Sequence, residues 1–116
     1  MHNNIRNSMR SQMPAFDQAF ARLIRDLDTR GLLDSTLVVV TTEFGRTPKL
    51  NKTNGRDHYP NVFSAVMAGG PVQGGRVVGS SDSKGAYPLE NPKSPQDVLA
   101  TMYRHLGIDT QRHYLD

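Results

Sequence analysis

Two short stretches gather the residue types that carry hydrolytic or metal chemistry. Thr41-Thr42-Glu43-Phe44-Gly45-Arg46-Thr47-Pro48 follows directly on the apolar run Leu37-Val38-Val39-Val40, and Gly55-Arg56-Asp57-His58-Tyr59-Pro60 comes soon after. Glu43 stands where a buried strand would meet solvent, a place suited to a carboxylate metal ligand or a general base. A solvated loop glutamate, or a partner for Arg46, is the plain alternative. Asp57 and His58 set an imidazole ligand beside a carboxylate that can bind metal or orient a neighbouring ring. The alternative there is a surface histidine next to a turn-forming aspartate. Gly55 lets the backbone turn sharply and Pro60 stiffens the exit. Arg46 and Arg56 flank these candidates, and a guanidinium fork matches a phosphate or sulfate; either could instead pair with Glu43 or Asp57. Two ligands of one ion each lie about 2.0–2.2 Å from it. The loop must therefore fold Glu43 back towards Asp57 or His58 if these motifs form one site.

The elements that would position them are legible by period. Phe16, Phe20, Leu23, Ile24 and Leu27 form one helical stripe, which predicts a helix over Pro14 to Arg30. Pro14 suits its first turn and Gly31 the left-handed position after its last. Thr36 to Thr41 reads as a strand, apolar on both faces as in the interior of a parallel sheet. A helix, a tight turn and such a strand make half of a right-handed crossover whose partner strand is not visible upstream. The expectation is accordingly a truncated chain, one partial domain over residues 1–116. Further strands are expected at Val62 to Ala68 and Arg76 to Val78, with Ser80 to Lys93 irregular. A closing helix starts at Ser94 as N-cap with Pro95 and Asp97 in its first turn, presents Val98, Leu99, Met102 and Leu106, and stops at Gly107-Ile108. His105 and His113 lie on or after this helix and read as surface residues.

Composition narrows the function classes. The chain has 116 residues, a net charge of +3, no cysteine, ten glycines and seven prolines, and a mean hydropathy of −0.55. Its basic residues are scattered and not interleaved with aromatics, which argues against nucleic acid. No apolar run approaches the length of a membrane span. Without cysteine there is no disulfide, thiolate ligand or cysteine nucleophile. Met1 to Asn7 hold no hydrophobic segment and form no signal peptide, so an exported relative would carry an address that this chain lacks.

Taken in order, Gly31 to Pro48, Gly55 to Pro60, Ala68-Gly69-Gly70 with Gly74-Gly75, Gly79-Ser80-Ser81-Asp82, and Ser94-Pro95-Gln96-Asp97 to Gly107-Ile108-Asp109 carry a likeness. They resemble the domain-of-unknown-function family fifteen-oh-one, a sulfatase-like family within the alkaline phosphatase superfamily. The resemblance spans nearly the whole chain and matches the carboxyl-terminal part of such proteins. It implies an α/β fold: the carboxyl-terminal fragment of an alkaline phosphatase-like sandwich with a mostly parallel central sheet. It also implies a divalent metal (zinc, calcium or magnesium) and a small anionic sulfate or phosphate ester as substrate. In sulfatases the strand similar to Thr36–Thr42 ends in Ser-Asp-His/Asn-Gly, whose middle residues bind metal. Here Glu43 stands at the aspartate and Gly45 at the glycine, but Phe44 replaces the second ligand and cannot bind a metal. His58 matches a later histidine that completes the site. Met1-His2-Asn3-Asn4 looks like the end of an Asp-Thr-His motif, which makes His2 a further ligand; a mobile terminal residue is the alternative. No nucleophile is assignable.

The reading that results is a fragment of a metal-dependent ester hydrolase, inactive as an isolated chain. Its metal ligands would be Glu43, Asp57, His58 and His2, with Arg46 and Arg56 stabilising the anionic transition state. The alternative is a non-catalytic remnant that binds a partner. Either way apolar surface should stay exposed on the isolated chain, which invites self-association.

Overall fold

In a computed structural model of the chain, which describes residues 1–111, the helical stripe lies on a longer helix than its pattern requires. The first helix, α1, spans Ile5–Thr29, and Pro14 sits inside it instead of at its first turn. Met9, Arg10, Gln12 and Met13 are good helix formers. Pro14 lacks the N–H that would bond the Arg10 carbonyl, and on this exposed surface water can satisfy that carbonyl. The exit is as expected: Gly31 adopts φ +67°, its N–H donates to Asp28 O at 2.9 Å, and the Leu32 N–H donates to Leu27 O at 2.8 Å. That pair of bonds is a Schellman stop. Phe16 and Phe20 stack at 6.0 Å on the apolar stripe, yet no residue of α1 is buried.

A 3-10 turn at Leu33–Ser35 leads into six short strands. These are β1 (Val38–Val40), β2 (Gly45–Arg46), β3 (His58–Tyr59), β4 (Val66–Ala68), β5 (Ser80–Ser81) and β6 (Pro88–Glu90). They form three separate two-stranded sheets, β1–β4, β2–β3 and β5–β6, every one antiparallel. This overturns the expected alkaline phosphatase-like sandwich with its mostly parallel central sheet. A parallel partner for β1 would need a crossover, usually helical. Between β1 and β4 the chain holds only the β2–β3 hairpin, so β4 returns antiparallel, with Val38 opposite Ala68, Val39 opposite Met67 and Val40 opposite Val66. β1 is half-buried and not covered on both faces. Arg76–Val78 forms no strand, and Val77 is 95% exposed. The β5–β6 hairpin lies instead within the stretch expected to be irregular.

The second helix, α2, spans Pro95–His105 and carries the expected start. The Ser94 hydroxyl accepts from the Asp97 N–H, and the Asp97 carboxylate accepts from the Ser94 N–H at 2.7 Å, a reciprocal capping box. It ends on a second Schellman pair, Gly107 N–H to Arg104 O at 3.1 Å and Ile108 N–H to Tyr103 O at 2.9 Å. His105 is half-buried; a Cβ on Gly70 would lie 2.9 Å from its ring, so this histidine packs on the backbone after β4 and is no plain surface residue. His113 lies outside the described residues. Among the described residues no apolar side chain is buried. The buried position is Gly55, and that points to where the chain is tied most closely.

Candidate functional site

The loop between β2 and β3 is held by its own polar groups. Arg46 pairs with His58 across the hairpin, the Thr47 N–H donates to Asp57 O at 3.0 Å, and the Asn51 N–H donates to Gly55 O at 2.9 Å. Asn51 builds an Asx turn: its Oδ1 accepts from the Thr53 N–H at 3.0 Å and the Gly55 N–H at 2.8 Å. The arginines brace the same loop. Arg56 Nη1 donates to Thr47 O and Pro48 O, both at 2.6 Å, and Arg46 Nη1 donates to Arg56 O at 3.2 Å. Among the described residues neither arginine forms an ion pair with Glu43 or Asp57.

Onto this loop the amino-terminal residues are laced. The Asn4 and Ile5 N–H groups donate to Thr53 O and Asn54 O, each at 2.9 Å, and the Arg56 N–H donates to Met1 O at 3.1 Å. Asn51 Nδ2 and Thr53 Oγ1 both donate to the His2 carbonyl at 2.8 Å. Gly55 lies under that carbonyl so closely that a Cβ would overlap it. The His2 backbone is thus tied to the loop.

The anchoring brings three of the expected residues together. His2 Nδ1 lies 2.8 Å from Asp57 Oδ1, and His2 Nε2 lies 3.2 Å from His58 Nε2. Asn51 Nδ2 donates to the same Asp57 oxygen at 3.0 Å. Hydrogen bonds from His2 first, then from Asn51, hold the Asp57 carboxyl below the usual carboxylate range. His2 thus stands between Asp57 and His58, with Nδ1 on the carboxylate side and Nε2 on the imidazole side. The Phe44 ring also packs against His58, with centroids 4.0 Å apart, and Arg46 stands over the Phe44 ring at 5.8 Å.

Glu43 does not complete the cluster. It is exposed, and among the described residues no three histidine or acidic groups converge as metal ligands do. Glu43 instead lines a cleft of about 590 Å³ with Phe44, Arg46, Phe63 and Met1. Phe44 and Met1 place that cleft beside the histidine pair. Sequence reasoning missed Asn51, which holds both Asp57 and the His2 carbonyl; the Asn-Lys-Thr order of an Asx turn was the available signal.

The donor chemistry fits a metal in part. Two imidazole nitrogens on one tetrahedral ion lie about 3.3 Å apart, close to the 3.2 Å seen here, and a carboxylate behind one ring is the usual support for such a ligand. Two donors are fewer than a complete site needs. No curated protein and no solved structure matches the chain. The family described as "Protein of unknown function (DUF1501)" matches residues 1–116, and the chain belongs to that family.

Proposed function

We propose that this chain carries part of the centre of a divalent-metal-dependent hydrolase of sulfate or phosphate esters, and that by itself it does not turn substrate over. The observation that carries the reading is the meeting of His2 Nε2 and His58 Nε2 at 3.2 Å, with Asp57 behind His2. The motif resemblance to sulfatase-like proteins supports it. His2 and His58 would hold the ion, which as zinc, calcium or magnesium would polarise an ester oxygen and activate a nucleophile. Of the two arginines, Arg46 suits the anionic group better, because it lines the cleft while Arg56 is tied to two loop carbonyls. Glu43 lines the same cleft and has no ion-pair partner among the described residues. No nucleophile and no further metal donor is assigned among the described residues. The test is an aryl sulfate and aryl phosphate assay with each metal, on the 116-residue chain and on a form extended upstream in its reading frame. The extended form should turn over and lose activity on His58→Ala, and the short chain should be inactive. Turnover by the short chain, or none by the extended form, overturns the reading.

One observation favours a second reading. Among the described residues no apolar side chain is buried, and β1 pairs only with β4, which leaves a free edge. A non-catalytic module docking on a partner through that surface would have the same properties.

A further inference from the structure

We infer that Asn54–Gly55 is a latent self-modification site, which the amino-terminal segment holds closed and whose conversion to isoaspartate releases that segment for good. An asparagine followed by glycine can close a cyclic imide, because glycine leaves its own amide nitrogen unhindered. The Gly55 backbone nitrogen gives up its proton to water and attacks Asn54 Cγ. A C–N bond forms there, and the side-chain nitrogen leaves as ammonia. Water then opens the imide at one or other of its carbonyls. One opening restores the ordinary main chain with an aspartate side chain. The other carries the main chain through Cγ, as isoaspartate. Asn54 is exposed, so water reaches its side-chain amide.

What keeps the pair closed is the peptide plane between the two residues. Attack requires that plane to turn about the Asn54 Cα–C bond and bring the Gly55 nitrogen to Cγ. Both polar ends of the plane are taken: the Ile5 N–H donates to Asn54 O at 2.9 Å, and the Gly55 N–H donates to Asn51 Oδ1 at 2.8 Å. Asn54 is itself held at φ +55°, its N–H donating to Asn51 O at 3.1 Å. Gly55 is buried beneath the His2 carbonyl, which Asn51 and Thr53 also hold. The plane therefore turns only when the amino-terminal segment lifts. Once isoaspartate has formed, that plane no longer exists. The former Asn54 carbonyl is a free carboxylate, and Gly55 hangs from Cγ with an extra methylene in the main chain. Ile5 and Asn51 cannot regain their bonds, so His2 loses the seat that sets it beside Asp57 and His58. The chemistry needs neither a metal nor an ester, and it stands whether or not the hydrolase reading does.

The test is incubation of the full 116-residue chain in mildly alkaline buffer, native and unfolded in guanidinium chloride, with isoaspartate at position 54 followed by peptide mass spectrometry. A hydrogen bond of this kind is worth about fivefold in an opening equilibrium. The two on this plane should therefore slow the native chain by about 10–30-fold against the unfolded one. Asn51→Ala should recover most of the unfolded rate. As a mutation-free readout, Gly55 amide exchange and Asn54 conversion should rise in step across low guanidinium, because one opening exposes both. The isoaspartyl chain should lose exchange protection at Ile5 and Arg56. Asn54→Asp should keep it, since aspartate tolerates the left-handed conformation and leaves the main chain unlengthened. Equal rates in the native and unfolded chain, no conversion even when unfolded, or a Gly55 exchange that rises without the Asn54 rate would overturn the inference. So would full protection at Ile5 and Arg56 in the isoaspartyl chain, or its loss in Asn54→Asp.

Discussion

At the scale of single residues, Gly55 has a role that its type alone does not announce. Glycine in a polar loop reads as a turn-former, yet Gly55 is not among the residues with positive φ. What the site uses is the missing side chain, because the His2 carbonyl fills the space a Cβ would take. Gly55→Ala should therefore expel the amino-terminal segment and separate His2 from Asp57 and His58. Each backbone hydrogen bond lost is worth about 1 kcal/mol net, so amide exchange at Asn4, Ile5 and Arg56 should accelerate by about tenfold or more. Exchange within α2 should not change. Unaltered protection at those three amides would show that the segment is held otherwise. The same example marks how far the site was legible. Asp57 and His58 could be picked out as adjacent ligand types, and the hairpin brings them where one would look. Their pairing with His2 joins positions 55 and 56 residues apart, and no local pattern encodes which distant imidazole a carboxylate will meet. Glu43 stands after a strand as its position suggested, but it is exposed and does not meet the histidine pair, while its neighbour Phe44 packs on His58.

Among the elements, those defined by nearby residues were readable and those defined by distant pairing were not. α2 was legible at both ends because a capping box and a Schellman stop are short-range hydrogen-bonding devices. The strands were misread because apolar character on both faces of Leu37–Val40 suggests a doubly covered parallel strand, while the direction of pairing depends on what the connection contains. The cap of α2 also makes a prediction. Bonds from the Ser94 N–H first, and then from the Ser94 hydroxyl, hold the Asp97 carboxyl below its usual range. A carboxylate depressed in the folded state stabilises above its unfolded pKa, and that contribution is lost as pH falls through the folded one. Helicity of α2 should thus be constant from neutral pH down to the ordinary carboxylate range and decline below it. Ser94→Ala should cost about 1 kcal/mol of helix stability at neutral pH, and Asp97→Asn should flatten the acid limb. Residue-resolved carbon chemical shifts in α2 across an acid titration would measure both. An identical acid limb in Asp97→Asn would show that the cap is not its cause.

The molecule as a whole is too open for its mass. A folded monomer of 12.9 kDa should expose about 6,300 Å² of surface by the usual scaling, and this chain exposes 9,454 Å². Its radius of gyration is 17.1 Å, where a compact chain of this length should have about 13 Å. The excess, about 3,000 Å², is the size of an obligate interface. It is also apolar in the places that matter: Phe16 and Leu23 on α1 are 48% and 47% exposed, and Leu99 on α2 and Leu106 just after it lie open. Hydrophobic burial is the main term that offsets chain entropy, and without buried apolar side chains among the described residues that term is small. What remains is local: two capped helices, short hairpins, and the polar lacing around His2 and Gly55. The isolated chain should accordingly bind a hydrophobic dye, unfold in urea over a broad range with a slope well below the roughly 1–3 kcal/mol per molar of a small domain, and associate as its concentration rises. Sedimentation of the dilute and concentrated chain measures the association, and Phe16→Lys with Leu23→Lys should suppress it by charging the open stripe of α1. The lacing around His2 should survive those two substitutions, since neither residue takes part in it. A sharp two-state melt of a strict monomer with no dye binding would mean that the apolar faces find cover within this chain, and both the fragment reading and the docking alternative would fall together.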